Sequence, residues 1–424
     1  MEMVQNILLT VLVFFVIVSI HEWGHFYFAK RAGILVREFA IGFGPKLFSV
    51  KKGETRYTLR LIPAGGFVRM AGEDPEIVEV QSGQTIAVRV DGGKVTRIYL
   101  DRLDERSNVI RGEVEFIDLE HKLKISLNVE GEVEELEVHP QASMISKGRD
   151  TQIAPYNRQF GSKTVGQRAL AIFAGPLMNF VLAFVLFAIH IQMAGIPIEP
   201  VEKVQIGQIV KGQPAAEADL QVGDEIKTVN GVAIGGDFNK LIELVGKSAN
   251  KPMEWTIIRD GKAIKLSITP KPDPETGEGK VGIGRDYPTR QAGFGETITY
   301  AGKAMKNMTV VIFDSFKMLI TGQFKLDDLG GPVRTAEITS QIASSGIVQL
   351  TSWTAILSLY LGIFNLLPIP ALDGSRLIFL GLEAVRGRPV DPNRESMVHF
   401  IGFAMLMLLM IAVTYNDVMR LVRG

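Results

Sequence analysis

The chain of 424 residues contains no cysteine, so disulfides and thiolate metal sites are both excluded. Any metal must be held by histidine, aspartate, glutamate or backbone oxygen, and there are only six histidines. Net charge is lacking too: 46 Lys and Arg offset 46 Asp and Glu, which leaves no global field to recruit nucleic acid. The amino terminus has no basic residue ahead of its first apolar run and no small-residue cleavage site. It therefore does not read as a secretory signal, and that run is expected to stay in the mature protein. The apolar fraction of 46% is ordinary, and what matters is how it is distributed.

Four stretches approach the roughly 20 apolar residues needed to cross a bilayer core: residues 4–28, 169–195, a third within 338–372 and densest over 350–367, and 397–415. Lys30, Arg31, Arg37 and Lys46 follow the first, and Arg158, Lys163 and Arg168 precede the second. These basic flanks put the end of span one and the start of span two in the cytoplasm, and alternation then puts residues 196–340 outside.

Inside the first span stands Ser19-Ile20-His21-Glu22-Trp23-Gly24-His25-Phe26, three ionisable side chains where they are costly to place. On a helix His21 and His25 share one face with Glu22 beside them. Two imidazoles so spaced can hold one zinc ion, and the carboxylate can take a proton from an activated water. Glu22 could instead pair with an arginine, but a metal explains all three residues together.

A catalytic zinc normally takes three protein ligands. His190 is predicted near the far end of span two, roughly 30 Å away in depth, and so to be an interfacial residue. His121, His139 and His399 read as ordinary surface residues. Asp373 follows Pro368 and Pro370, which must end the third helix at the depth of the His-Glu-His group. It could cap the next helix, yet no other anionic residue is available at that level, so it is expected to complete the site. Asn365 is either a helix-buried amide bonded to a neighbouring helix or a group that holds substrate backbone. The segment Ala174-Gly-Pro-Leu-Met-Asn179 is expected to interrupt span two, its small residue and proline letting helices approach.

Between spans, residues 55–62 alternate like a half-buried strand, and Pro63-Ala-Gly-Gly66 turns them into Phe67-Val-Arg-Met70, predicting a hairpin. Residues 76–145 form short alternating segments split by Gly-containing turns, a charged, mainly β insert. Residues 201–270 read as a compact α/β module whose open strand edge and groove suit an extended peptide. Residues 297–320 read as an interfacial helix.

His21-Glu-Trp-Gly-His25, Pro63-Ala-Gly-Gly-Phe-Val-Arg-Met70, Gly175-Pro-Leu-Met-Asn179 and Asn365 through Leu372-Asp-Gly374 come in one order. Together with Gln152-Ile-Ala-Pro-Tyr-Asn-Arg-Gln-Phe160 they make the chain resemble the bacterial site-2 proteases, intramembrane zinc metalloproteases, and among them the Gram-positive regulator-of-sigma group. The resemblance implies one Zn2+ held by His21, His25 and Asp373, Glu22 as general base, Asn365 as a substrate-handling residue and a hairpin that receives unwound substrate as an added strand. It implies single-span substrates such as anti-sigma factors, signal-peptide remnants, and a multi-pass protein of the inner or plasma membrane in contact with lipid. The α/β module resembles a PDZ domain, although the usual Gly-Leu after its first helix is Asp219-Leu220 here.

The expected architecture is thus an α-helical membrane protein with four transmembrane helices, a membrane-associated β-hairpin, a cytoplasmic β-rich insert and an extracytoplasmic PDZ-like domain. Its parts are the first transmembrane helix (1–30), hairpin region (31–75), insert and connector (76–167), second transmembrane helix (168–196), PDZ-like domain (197–285), interfacial helix and connector (286–345), third transmembrane helix (346–372), cytoplasmic loop and helix (373–396), and fourth transmembrane helix (397–424). A rival reading is a zinc-holding scaffold that gathers partners without catalysis. It has no use for Glu22.

Overall fold

The computed structural model describes residues 2–73, 80–198, 203–210, 212–273, 277–286, 289–322 and 330–423. The chain splits into two compact units, Met1–Phe187 with Ala301–Gly424, and Ala188–Tyr300. Among the described residues, four helices are long and apolar enough to cross a membrane: Met3–Arg31, Val165–Ala194, Ile347–Asn365 and Asn393–Arg420.

The first helix, α1 (Glu2–Arg31), ends on the basic pair Lys30 and Arg31, which suit the negative end of its dipole. Gly33 takes φ 74°, with Gly33 N–H bonded to the Lys30 carbonyl and Ile34 N–H to that of Ala29, each at 3.0 Å. This Schellman stop, backed by the buried Ala29 and Ile34, turns the chain sharply into the sheet that follows.

That sheet pairs β1 (Val36–Lys52) with β2 (Thr55–Met70). The expected hairpin would join residues 55–62 to 67–70. Instead the two ends of β2 flank β1: Glu38 to Ile41 lie beside Arg56 to Leu59 on one side and Arg69 to Gly66 on the other. Gly42 and Gly44, at φ 91° and 83°, bend β1 after Ile41, so residues 46–52 pair with 55–60. Among the described residues, no strand covers the outer edge of 66–70.

The insert is a six-stranded sheet over residues 85–152, in which Lys94–Tyr99 also pairs with Glu132–Ser146 and so closes a small barrel. Its inward positions are apolar, with Ile86, Ile98, Ile125 and Leu127 fully buried. Glu54, at the turn between β1 and β2, is clamped from the insert side. Arg158 grips both its oxygens at 2.6 and 2.9 Å, and Gln152 and Gln141 donate at 2.9 and 3.3 Å.

The Arg158 guanidinium holds the Glu54 carboxyl at about 2, against 4.5 for an ordinary glutamate. A depressed carboxylate contributes its stability above the ordinary value and loses it as pH falls from about 4.5 towards 2. Hydrogen exchange at residues 50–57, corrected for intrinsic rates, is therefore expected to be steady from neutrality to pH ~5 and to accelerate below it. Glu54→Gln should remove that acid step. An unchanged acid profile in the variant would show the clamp to be unimportant.

The second long helix, α2 (Val165–Ala194), runs unbroken through Pro176. The expected interruption is absent. Pro176 removes only its own N–H, and the close approach it permits is to α1, where a side chain on Gly24 would strike the Ala174 carbonyl.

In the second unit, two helices, α3 (Pro214–Glu217) and α4 (Phe238–Gly246), accompany a six-stranded sheet around the fully buried Trp255. Asp219 stands at φ 57°, a conformation glycine adopts freely and aspartate tolerates. Arg259 donates to its carbonyl at 2.7 Å and grips the buried Asp224 with two bonds of 2.8 Å.

The chain continues as α5 (Phe294–Ile320), α6 (Pro332–Ser344), α7 (Ile347–Asn365), α8 (Asp373–Arg386) and α9 (Pro392–Arg423). Within the uncharged stretch starting at residue 338, Gly346, at φ 114°, separates α6 from α7. Helix α6 packs beside α1 and α7 through Ile342 and Ala343, and Trp353 of α7 donates to Thr339 at 2.9 Å. Asp417 of α9 reaches the start of α6 and accepts the Arg334 N–H at 2.9 Å.

Candidate metal centre

The i, i+4 spacing on α1 brings His21 Nε2 and His25 Nε2 to 3.2 Å of each other. Asp373 Oδ2 lies 3.4 Å from both. Among the described residues this is the one group of three or more His, Asp or Glu whose ligand atoms converge. His21, His25 and Glu22 are buried, and Asp373 Oδ2 has no hydrogen-bond donor of its own.

Four ligands arranged tetrahedrally at the usual zinc distances of about 2.0–2.1 Å lie about 3.3–3.4 Å from one another. The three separations here match that edge length, so the donors fit a zinc ion and leave a fourth corner open. His25 Nδ1 sits 2.9 Å from the Ala171 carbonyl, and an N–H there leaves Nε2 free to ligate. Pro176 has no N–H to give the Ile172 carbonyl, the neighbour of Ala171 on this helix.

Asp373 does not cap α8. The helix starts from Leu372 without a side-chain cap, and the carboxylate turns towards the histidines. Its loop is held from several sides. Ala371 adopts φ 77°, costly for a residue with a side chain, and its N–H is accepted by His399 Nδ1 at 3.1 Å. His399 is thus no ordinary surface residue: its side chain is only 16% exposed, and α9 uses it to fix the loop before Asp373. Further along α8, Arg376 pairs with Glu73, just past the open edge, and Glu383 pairs with Arg168 of α2.

Glu22 lies within electrostatic range of His25 and Asp373. It also packs on β2, where a Cβ on Gly66 would come within 2.7 Å of both Glu22 Cγ and the Ala40 carbonyl. Only glycine lets the strand edge pass so close. Gly175 plays the same part for His25, whose ring occupies the place of a side chain there. Asn365 ends α7 with its amide donating back to the Leu361 carbonyl at 3.1 Å.

Sequence reasoning gave Gly175 and Asn179 no more than a packing role. Both lie against the histidines. Their signal was available: the uncharged part of α2, from residue 169 on, carries an asparagine one turn beyond a Gly-Pro pair, and a buried amide needs partners. His121 stacks on Tyr156 at 4.7 Å and His139 accepts the Gln141 N–H, so both belong to the insert.

Two buried histidines and a glutamate on a membrane-length helix, met by an aspartate at the start of α8, define a metal-dependent hydrolase built into a membrane. A family model described as peptidase family M50 matches residues 9–409, and the chain belongs to that family. It is a zinc metalloprotease of the intramembrane, site-2 type. It is 44% identical over 423 residues to the regulator of sigma-W protease RasP of Bacillus subtilis, with 99% of each chain covered. It is 45% identical to the zinc metalloprotease RasP of Geobacillus kaustophilus, again over 99% of each, and 38% identical to the probable protease eep of Enterococcus faecalis, over 98% of this chain and 99% of that one. A solved PDZ domain of an SdrC-like protein from Listeria monocytogenes aligns with 21% of this chain and 93% of its own, at 18% identity and a TM-score of 0.19.

Proposed function

We propose that His21, His25 and Asp373 hold the zinc, that Glu22 is the general base, and that the substrate is a membrane-spanning segment unwound onto the open edge of β2. The observation that carries this reading is the convergence of the three donor atoms at the edge lengths of a zinc tetrahedron, 3.2 to 3.4 Å. When bound, zinc supplies a Lewis acid that brings a water near deprotonation at neutral pH and polarises the scissile carbonyl. Glu22 takes the proton of the attacking water and returns it to the leaving amide nitrogen. His21, His25 and Asp373 supply ligand atoms, and the Ala171 carbonyl keeps the His25 ring oriented.

A helix in lipid keeps its carbonyls bonded internally, so scission requires local unwinding. Pairing with residues 66–70 offsets the lost bonds, and the edge passes Glu22 at Gly66. Asn365, at the end of α7, offers its free carbonyl oxygen to substrate backbone.

Substrates of this kind are single-span proteins such as anti-sigma factors, in keeping with the sigma-W regulator named among the relatives, and remnant signal peptides. Residues 197–285 serve as a PDZ-like domain outside the cytoplasm that excludes bulky intact proteins, while the site faces the cytoplasmic side. Co-expression with tagged single-span candidates, beside the Glu22→Gln form, tests the activity. Cleavage within the apolar segment by the wild type alone is expected; cleavage by neither form would favour the scaffold reading, and equal cleavage by both would remove Glu22 as general base.

Sidedness is open to a clean assay because the natural chain has no cysteine. Single cysteines at Arg31 and Gly236 should react with impermeant maleimide from opposite faces of oriented vesicles. Labelling from one face would overturn this topology.

A further inference from the structure

Asn179 of α2 is wholly buried, with 0% of its surface exposed. Its side-chain nitrogen lies 3.3 Å from His21 Nδ1, while its oxygen, Oδ1, has no partner. In that orientation the amide would donate to Nδ1 and leave a buried carbonyl orphaned. A ring that ligates through Nε2 carries its hydrogen on Nδ1, so two donors would face each other. Amide oxygen and nitrogen have nearly the same shape, and the hydrogen-bond network decides between them. Turning the amide by half a rotation puts Oδ1 against the Nδ1–H and removes the clash between donors.

We infer that Asn179 is a positioning residue: its side-chain oxygen accepts the His21 Nδ1–H and so fixes the tautomer and ring plane in which His21 Nε2 meets the metal. This deepens the ligand assignment above and rests on it.

The arrangement is doubled on α2. Ala171 orients His25 with a main-chain carbonyl, and Asn179, two turns further on, orients His21 with a side chain. The backbone that carries Asn179 is itself anchored, because its main-chain carbonyl accepts the Ser358 hydroxyl of α7 at 2.9 Å. The competing acceptor beside the His21 ring is the main chain of Gly175. The two can be separated experimentally, because only one of them is a side chain.

The test is zinc affinity of the purified full chain, measured by competition with a chromogenic chelator, for Asn179→Leu and Asn179→Asp. Leucine keeps the branched outline, with somewhat larger methyl ends, and removes the acceptor; it should weaken zinc binding about 10- to 100-fold. Aspartate restores an acceptor and should return affinity to within a few-fold of wild type, a rescue that a packing role would not give. Nitrogen shifts of histidine-labelled, zinc-loaded protein should place the His21 proton on Nδ1 in the wild type and in Asn179→Asp. Wild-type affinity in Asn179→Leu, or equal loss in both variants with unchanged helix content and melting, would overturn the inference. His21→Ala is the separate control: if it keeps zinc, the ligand assignment has failed rather than the role of Asn179.

Discussion

Glu22→Gln is expected to bind zinc as the wild type does and to hydrolyse a single-span substrate about 10²–10⁴ times more slowly. The amide preserves the shape that fits between α1 and Gly66, where a Cβ would lie 2.7 Å from the Glu22 side chain, so the strand edge should stay in place. What disappears is a proton acceptor beside the open corner of the metal site. Zinc content by elemental analysis and cleavage rate in detergent or proteoliposomes separate the two properties. Retained cleavage would remove the general-base role, and lost zinc would make Glu22 part of the ligand environment instead.

Gly175→Ala should do the reverse and empty the site. Its new Cβ falls on the His25 imidazole, against Nε2, and the neighbouring atoms are a rigid ring and the backbone of a helix crossing. Something must move. Either His25 swings away or α1 and α2 separate, at a cost of about 1–3 kcal/mol for an overpacked core. Zinc affinity should fall at least 10- to 100-fold, and activity should follow it down. Excess zinc should restore part of the rate in Gly175→Ala and none in Glu22→Gln. Wild-type zinc affinity in the alanine variant would mean that His25 is not bound in the position described.

Much of the site was legible because its residues are expensive where they stand. His21, Glu22 and His25 interrupt an apolar helix, and Asp373 shares their depth after two prolines, so physical cost and position were enough to connect residues some 350 apart in the chain. The residues that orient the ligands were not legible in the same way. Gly66 and Gly175 act by having no side chain, and glycine is read first as a turn or a packing residue. Asn179 and His399 are polar residues whose partners lie on other helices, and Ala371 holds a strained backbone angle that no side-chain pattern announces.

The sheet topology was misjudged for a related reason. Alternation identifies strands but does not say which stretches become neighbours, and the two halves of β2 are divided by a segment of β1. The break between α6 and α7 rests on one glycine within an uncharged run.

The clamp on Glu54 changes how the barrel of residues 85–152 is to be regarded. It is fastened to the turn between β1 and β2 by three side chains, Gln141, Gln152 and Arg158, near its carboxyl-terminal end and in the strap beyond. Most of its surface is then free to drift, provided those grips persist. On the proposed function, residues 66–70 need a rigid sheet behind them to act as a template, whereas the metal cluster draws on α1, α2 and α8. A shortened barrel would thus yield a chain that still chelates but grasps its substrate poorly, so that turnover and recognition could diverge separately during evolution.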